Sequence, residues 1–294
     1  MRTQVVLLTT LVLNAVLFAL NLAVALVSGS RTVLSQAILA ATDLIGSALL
    51  LGGLYLSRRP ADFEHPFGFG KERFFWAFVS IVVTFTTAGI LALITGVDQL
   101  LDPHRVTHLP LGIAVVGATL GASGIGIFVT LRELRLDRQT IFGLLASSHQ
   151  GLKSVFYQDL VAIVAALVAL LGLFAVYRTD DPVIDGAVAV FEGLLLAASG
   201  FVLSSESREY LIGRAVSPAV ARSMLGLVER NPRVARVRTM QSMQLGPEDA
   251  LLALRINFQD GLTTDQIETT IDQVSTSLRA AYPNLRHIII EPES

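Results

Sequence analysis

LSQAILAATDLIGSALLLGGLYL, residues Leu34–Leu56, is apolar from end to end except for one charge, Asp43. A helix rises about 1.5 Å per residue and the bilayer core is about 30 Å thick, so roughly 20 apolar residues make one span. The run starts at Val33, which sets Asp43 about 15 Å along the axis, close to the midplane. A carboxylate at that depth is costly and marks a functional site by default.

Five more stretches satisfy the same length rule: Val5–Val27, Phe74–Val97, Leu109–Leu131, Val155–Tyr177 and Val183–Leu203. The first exceeds the 7–15-residue apolar core of a signal peptide and enters a short turn, so it is expected to stay as a span. Charged residues are 16% of the 294, against about a quarter in soluble proteins, and they crowd the last ninety or so positions. The chain therefore divides into a six-span membrane domain over 1–207 and a soluble domain over 208–294. The connection Ser57–Arg73 carries Arg58, Arg59, Lys71 and Arg73, and the fourth connection carries Arg132, Arg135, Arg138 and Lys153. Basic loops stay inside, so both termini and the soluble tail are expected in the cytoplasm, with the spans in a bacterial inner membrane.

In the tail, SPAVARSMLGLVERNP (Ser217–Pro232) opens with a capping Ser before Pro218. VARVRTMQSMQL (Val234–Leu245), ALLALRINFQ (Ala250–Gln259) and LRHIIIEP (Leu285–Pro292) have strand character. TTDQIETTIDQVSTSLRAAY (Thr263–Tyr282) is helical, with Ile267, Ile271, Val274 and Leu278 on one face. The order αββαβ predicts a small ferredoxin-like α+β sandwich. It holds no catalytic motif, which favours a docking or dimerisation module over an enzyme.

Composition excludes several classes. There is no Cys, hence no disulfide, thiolate metal site or Cys nucleophile. The net charge is −2 and no basic tract suggests nucleic acid. No Ser/His or His/Glu arrangement falls at a depth suited to a membrane enzyme.

Four acids lie inside the spans: Asp43, Asp159, Asp185 and Glu192. Asp185, beside Pro182 at the start of the sixth span, reads as an interfacial cap. Asp43 and Asp159 stand on different spans and can meet only inside a bundle, where they repel unless a cation or proton is shared. A divalent cation is the natural guest of such a pair, with protons as the natural exchange.

The loop RRPADFEHPFGFGKERFFWAF (Arg58–Phe78) resembles the loop between the second and third helices of cation diffusion facilitators. HPFGFGKERFFW and FYQDLVAIVAALVALLG are similar to the branch typified by zinc transporter nine. The resemblance covers nearly the whole chain. It implies six helices, a cytoplasmic αββαβ domain, a homodimer, and exchange of divalent metal for protons, with the metal as substrate and no cofactor. That family's site usually takes two ligands from the second helix and two from the fifth, each pair spaced i, i+4. Asp43 and Asp159 match the later ligand of each pair, while Leu39 and Val155 stand at the earlier ones. The transport-site motif is thus reduced.

Zinc favours His and Cys, whereas a carboxylate, water and amide set suits Mg²⁺, Mn²⁺ or Fe²⁺. Candidate neutral donors are Asn14 and Asn21, Gln36 and Thr42, Ser154 and Gln158. Glu192 has no counterpart in the family pattern; a third acid on the pathway and a bond across a dimer interface are both open. Asp62 and His65 match a second, weaker loop site whose next usual ligand is Phe69. In the tail, Arg255 and Glu291 replace family histidines and His287 stands alone, so no binuclear site is expected there. These features lead to a proton-coupled divalent cation exporter of Mn, Fe, Mg or Zn. The rival is a degenerate homologue with a scaffold or regulatory role and little transport.

Overall fold

A computed structural model describes residues 2–136, 150–246 and 249–293. Arg138, His149 and the Pro247-Glu248 turn lie outside the described residues, as do the side chains of Lys153, Ser154 and Val155. Among the described residues six helices are long and apolar enough to cross a membrane. They are α1 Arg2–Ser28, α2 Arg31–Leu56, α3 Glu72–Leu101, α4 Leu109–Leu136, α5 Gln150–Thr179 and α6 Val183–Ile212. The protein is an integral membrane protein with a small α+β domain after the spans. Several helices outrun their apolar cores because polar residues at the ends keep helical backbone. α6 runs on to Ile212, past the apolar limit at Leu203.

Two details of helix geometry position the site. The α1–α2 turn is closed by Gly29, whose φ of 66° suits glycine and whose N–H bonds the Ala25 carbonyl at 3.0 Å. α3 contains a π-helical turn at Val82–Thr86, a local widening often found near functional sites. α2 is the most buried of the six helices and packs against α1, α3 and α5. Leu39 is among its buried residues and joins Ile81, Phe85, Ala162 and Leu196 in one apolar cluster.

The chain forms two compact units, and neither is continuous in sequence. The first holds the residues up to Leu56 together with Glu72–Arg208. The second joins Ser57–Lys71 to the chain from Glu209 onward, so the α2–α3 loop, expected with the spans, groups with the tail. Contact explains this. The Cα of Gly70 lies so near the Leu245 carbonyl that an added Cβ would sit 2.5 Å from the oxygen. The Phe67 ring meets His287 edge-on at 5.2 Å.

In this second unit α7 (Pro218–Val228), β1 (Val234–Gly246), β2 (Asp249–Phe258), α8 (Thr264–Ala281) and β3 (Leu285–Pro292) follow in the αββαβ order. β2 is central, antiparallel to β1 and parallel to β3, with α8 as the crossover that a parallel pair requires. Leu252, Leu254 and Ile256 alternate along β2 and bury one face against Met224, Val274 and Leu278. Ser217 caps α7 through the Val220 N–H, and Thr263 with Gln266 forms a capping box on α8.

Candidate cation site

Asp43 and Asp159 line one cavity within the helix bundle. Its volume is about 20 Å³, room for roughly one water-sized body. Asp43 is only 9% exposed. Asp159 on α5 lies against Gly126 of α4, where any Cβ would come within 2.4 Å of its Oδ2. That Oδ2 is buried without a hydrogen-bond partner, as are Nε2 of Gln158 and Oε1 of Gln36. Unpaired buried polar atoms are expensive, so three around one cavity suit an occupant that supplies the missing contacts.

The neutral candidates separate clearly. Asn14, Gln36 and Gln158 line the cavity. Thr42 and Glu192 do not: the Thr42 hydroxyl turns back along its own helix to the Leu39 carbonyl at 2.9 Å, and Glu192 bonds elsewhere. Asn21 also lies apart, donating to the Leu17 carbonyl at 2.9 Å and to Thr119 Oγ1 at 3.0 Å. Sequence reasoning passed over Thr10, Thr119 and Ser123, which also line the cavity. The signal was present: Thr119, Ser123, Gly126 and Thr130 recur at helical spacing on α4 as a stripe of hydroxyls and one glycine. Leu39, at the position of the absent ligand, lines the cavity beside the apolar Leu17, Ala40 and Ala162.

The turn of α2 that carries Asp43 is braced by α3. Thr84, inside the π-helical turn, donates to the Thr42 carbonyl at 3.1 Å, and Ser80 donates to the Gly46 carbonyl at 3.0 Å. Gly46 makes this approach possible, because a Cβ there would stand 2.5 Å from Thr84 Oγ1 and 2.8 Å from Ser80 Oγ.

The other two acids of the spans are fully engaged. Asp185 does cap a helix, but it is α2 and not its own. Its carboxylate accepts from Ser30 Oγ at 2.8 Å, the Arg31 N–H at 2.7 Å and the Thr32 N–H at 3.3 Å. These are the unpaired donors and the positive dipole end of α2. Glu192 is 1% exposed and accepts from Ser35 Oγ through one oxygen and from Gln36 Nε2 at 2.9 Å through the other. Both of these partners belong to the same chain.

In the loop, Asp62 Oδ1 accepts from the His65 N–H at 2.6 Å and lies 3.1 Å from His65 Nδ1. That backbone bond chiefly holds the Asp62 carboxyl below its usual range. The His65 ring stacks on Phe69 at 4.3 Å, so the pair closes a turn. In the tail, Arg255 and Glu291 form an ion pair at 2.8 Å. His287 is not alone: its Nε2 lies 3.7 Å from Asp249 Oδ2. Burial pushes the Asp249 carboxyl up, against the pull of His287 and Arg286. Among the described residues no three His, Asp or Glu side chains converge as a metal cluster.

Six apolar helices enclose a cavity lined by two carboxylates from different helices, and a small αββαβ domain follows them. Residues 7–212 match the cation efflux transmembrane domain, and the chain belongs to that family, the cation diffusion facilitators. It is a family of transporters rather than enzymes. The chain is 26% identical to metal tolerance protein C4 of Arabidopsis thaliana over 85% of its own length and 56% of the relative's. It is 24% identical to the mitochondrial proton-coupled zinc antiporter SLC30A9 of Xenopus laevis, over 88% of the chain and 47% of the relative. The magnetosome protein MamM of Paramagnetospirillum magneticum is 26% identical over 97% of the chain and 86% of its own length. The chain thus spans about half the length of the first two relatives.

Proposed function

We propose that the protein exports a divalent metal cation in exchange for protons, binding the ion between Asp43 and Asp159. The observation that carries this reading is the cavity itself, which has two carboxylates on different helices and buried polar atoms without partners. Two acids facing one small space bind a divalent ion when both are ionised, and take up protons when it leaves. The antiport named for the SLC30A9 relative agrees with that chemistry.

The donor set narrows the ion. Beside the carboxylates stand Asn, Gln, Thr and Ser residues, with no His among the described residues of the lining and no Cys in the sequence, which favours Mn²⁺ or Fe²⁺ over Zn²⁺. Mg²⁺ dehydrates reluctantly and keeps several waters, which a cavity of about 20 Å³ does not accommodate. Mn²⁺ is therefore the first ion to test, with Fe²⁺ and Zn²⁺ beside it. The working unit is a homodimer in a bacterial inner membrane with both termini cytoplasmic, in keeping with the basic α2–α3 loop.

One observation favours a second reading, a homologue that scaffolds or regulates and transports little. Leu39 fills the position of a family ligand with core packing. Metal uptake by proteoliposomes separates the two. The exporter requires Mn²⁺ or Fe²⁺ flux with opposite proton movement, lost in Asp43→Ala and in Asp159→Ala. Absence of flux for every divalent ion tried, from well-folded protein, favours the scaffold.

A further inference from the structure

Glu192 is buried, belongs to α6, and is not in the cavity lining, yet its neighbour Gln36 is. One oxygen of the carboxylate accepts from Gln36 Nε2 at 2.9 Å and the other from Ser35 Oγ. Among the described residues no Lys, Arg or His forms an ion pair with Glu192. A carboxylate only accepts hydrogen bonds, so it selects one of the two orientations of the Gln36 amide. The NH₂ turns toward α6, and the amide oxygen is left on the other side. That oxygen, Oε1, is buried and has no partner.

We propose that Glu192 is a positioning residue for the cation site: it fixes the Gln36 amide so that Oε1 is offered to the cation or its bound water. Gln36 and Asp43 are seven residues apart and share one face of α2, about 10 Å along the axis. The amide oxygen therefore serves the cavity from the turns of α2 that precede Asp43. Groups that orient a ligand from behind are as much a part of a metal site as the ligands.

Stapling α6 to α2 does not account for Glu192. Asp185 already joins the same two helices, two turns away, through the Ser30 hydroxyl and the N–H groups of Arg31 and Thr32. The inference rests on the reading of Asp43 and Asp159 as the cation site, and its test keeps the two apart.

The test is Mn²⁺ uptake by proteoliposomes of the full chain carrying Glu192→Gln, Gln36→Ala, the double change, or Asp43→Ala, each scored per folded protein. Glu192→Gln puts an amide, able to donate or accept, where only an acceptor stood. It is expected to raise KM for Mn²⁺ about tenfold, the lower end for groups that orient a ligand. Gln36→Ala is expected to do the same, and the double change no more than either, because both act through one oxygen. Glu192→Asp, which draws the carboxylate back by one methylene, repeats the test should the amide variant fold poorly. An unchanged KM in the folded Glu192 variants overturns the proposal, as does a double change whose effects multiply. A fall in folded yield with unaltered KM likewise makes Glu192 structural only. Uptake that survives Asp43→Ala overturns the underlying reading of the site instead.

Discussion

The membrane domain holds two pairs of acids in opposite circumstances. Asp185 and Glu192 are buried on α6, and both find donors on the first two turns of α2. Asp43 and Asp159 share a cavity, and one oxygen of Asp159 has no partner at all. A carboxylate in a bilayer costs about 2.5–3.5 kcal/mol even on lenient scales. The first pair offsets that cost with hydrogen bonds already formed; the second leaves it for something that comes and goes. Charge does not distinguish the pairs, and depth sets apart only Asp185, at the start of its span. Satisfaction of the oxygens does.

The contrast breaks most readily at the unsatisfied pair. Asp43→Asn or Asp159→Asn, which conserve shape and remove charge, should abolish proton-coupled metal uptake, a loss of at least about a hundredfold. Thermal unfolding in detergent should show the midpoint unchanged or raised, since an uncompensated charge has gone. A midpoint that falls sharply would class Asp43 and Asp159 with the α6 acids and end the distinction.

Asp185→Ala should do the reverse. It strips the N-terminus of α2 of its acceptor and costs on the order of 3 kcal/mol, because several donors lose a charged partner at once. The unfolding midpoint should drop while KM of the remaining folded protein stays near wild type. A raised KM with an unmoved midpoint would show that Asp185 also belongs to the transport pathway.

A smaller effect sharpens the geometry. Gly126→Ala places a methyl where the Asp159 carboxylate now lies, at 2.4 Å from Oδ2, so the acid must swing away. Uptake should fall about tenfold with little loss of fold, in line with the cost of displacing a site group by about an ångström. Unaltered uptake would mean that the carboxylate position seen here is not the binding one.

Much of this was legible in the chain. Apolar length fixed the number of spans, and period-2 and period-3.6 patterns fixed the tail, because each element there buries one face against a single core. Asp43 and Asp159 stood out because charge within an apolar run has no cheap explanation. The rest depended on pairing across the chain. Nothing local tells that Asp185 caps a helix 154 residues earlier, or that Glu192 meets Gln36. The hydroxyls of α4 were missed because Thr and Ser in a membrane helix usually bond their own carbonyls, as Thr42 does. The α2–α3 loop was assigned to the spans because a linear boundary cannot express a segment that packs with a domain much later in the chain.

The smallest effect concerns that loop, where Asp62 is half exposed yet accepts the His65 N–H through Oδ1. Its folded pKa is lowered, mainly by the His65 N–H. A lowered carboxyl contributes stability above its unfolded value, about 3.9, and loses it only as pH falls through the lower folded value. Between pH 8 and 5 the cap should therefore hold unchanged, which makes Asp62 unlike an acid that carries protons in each transport cycle. Hydrogen exchange at the His65 amide gives the measurement. Relative to Asp62→Asn, the wild-type amide should be protected a few-fold at neutral pH and equally at pH 5. Protection that fades between pH 7 and 5 would show Asp62 titrating in the working range. The separation would then have to be drawn among the loop acids as well as among those of the spans.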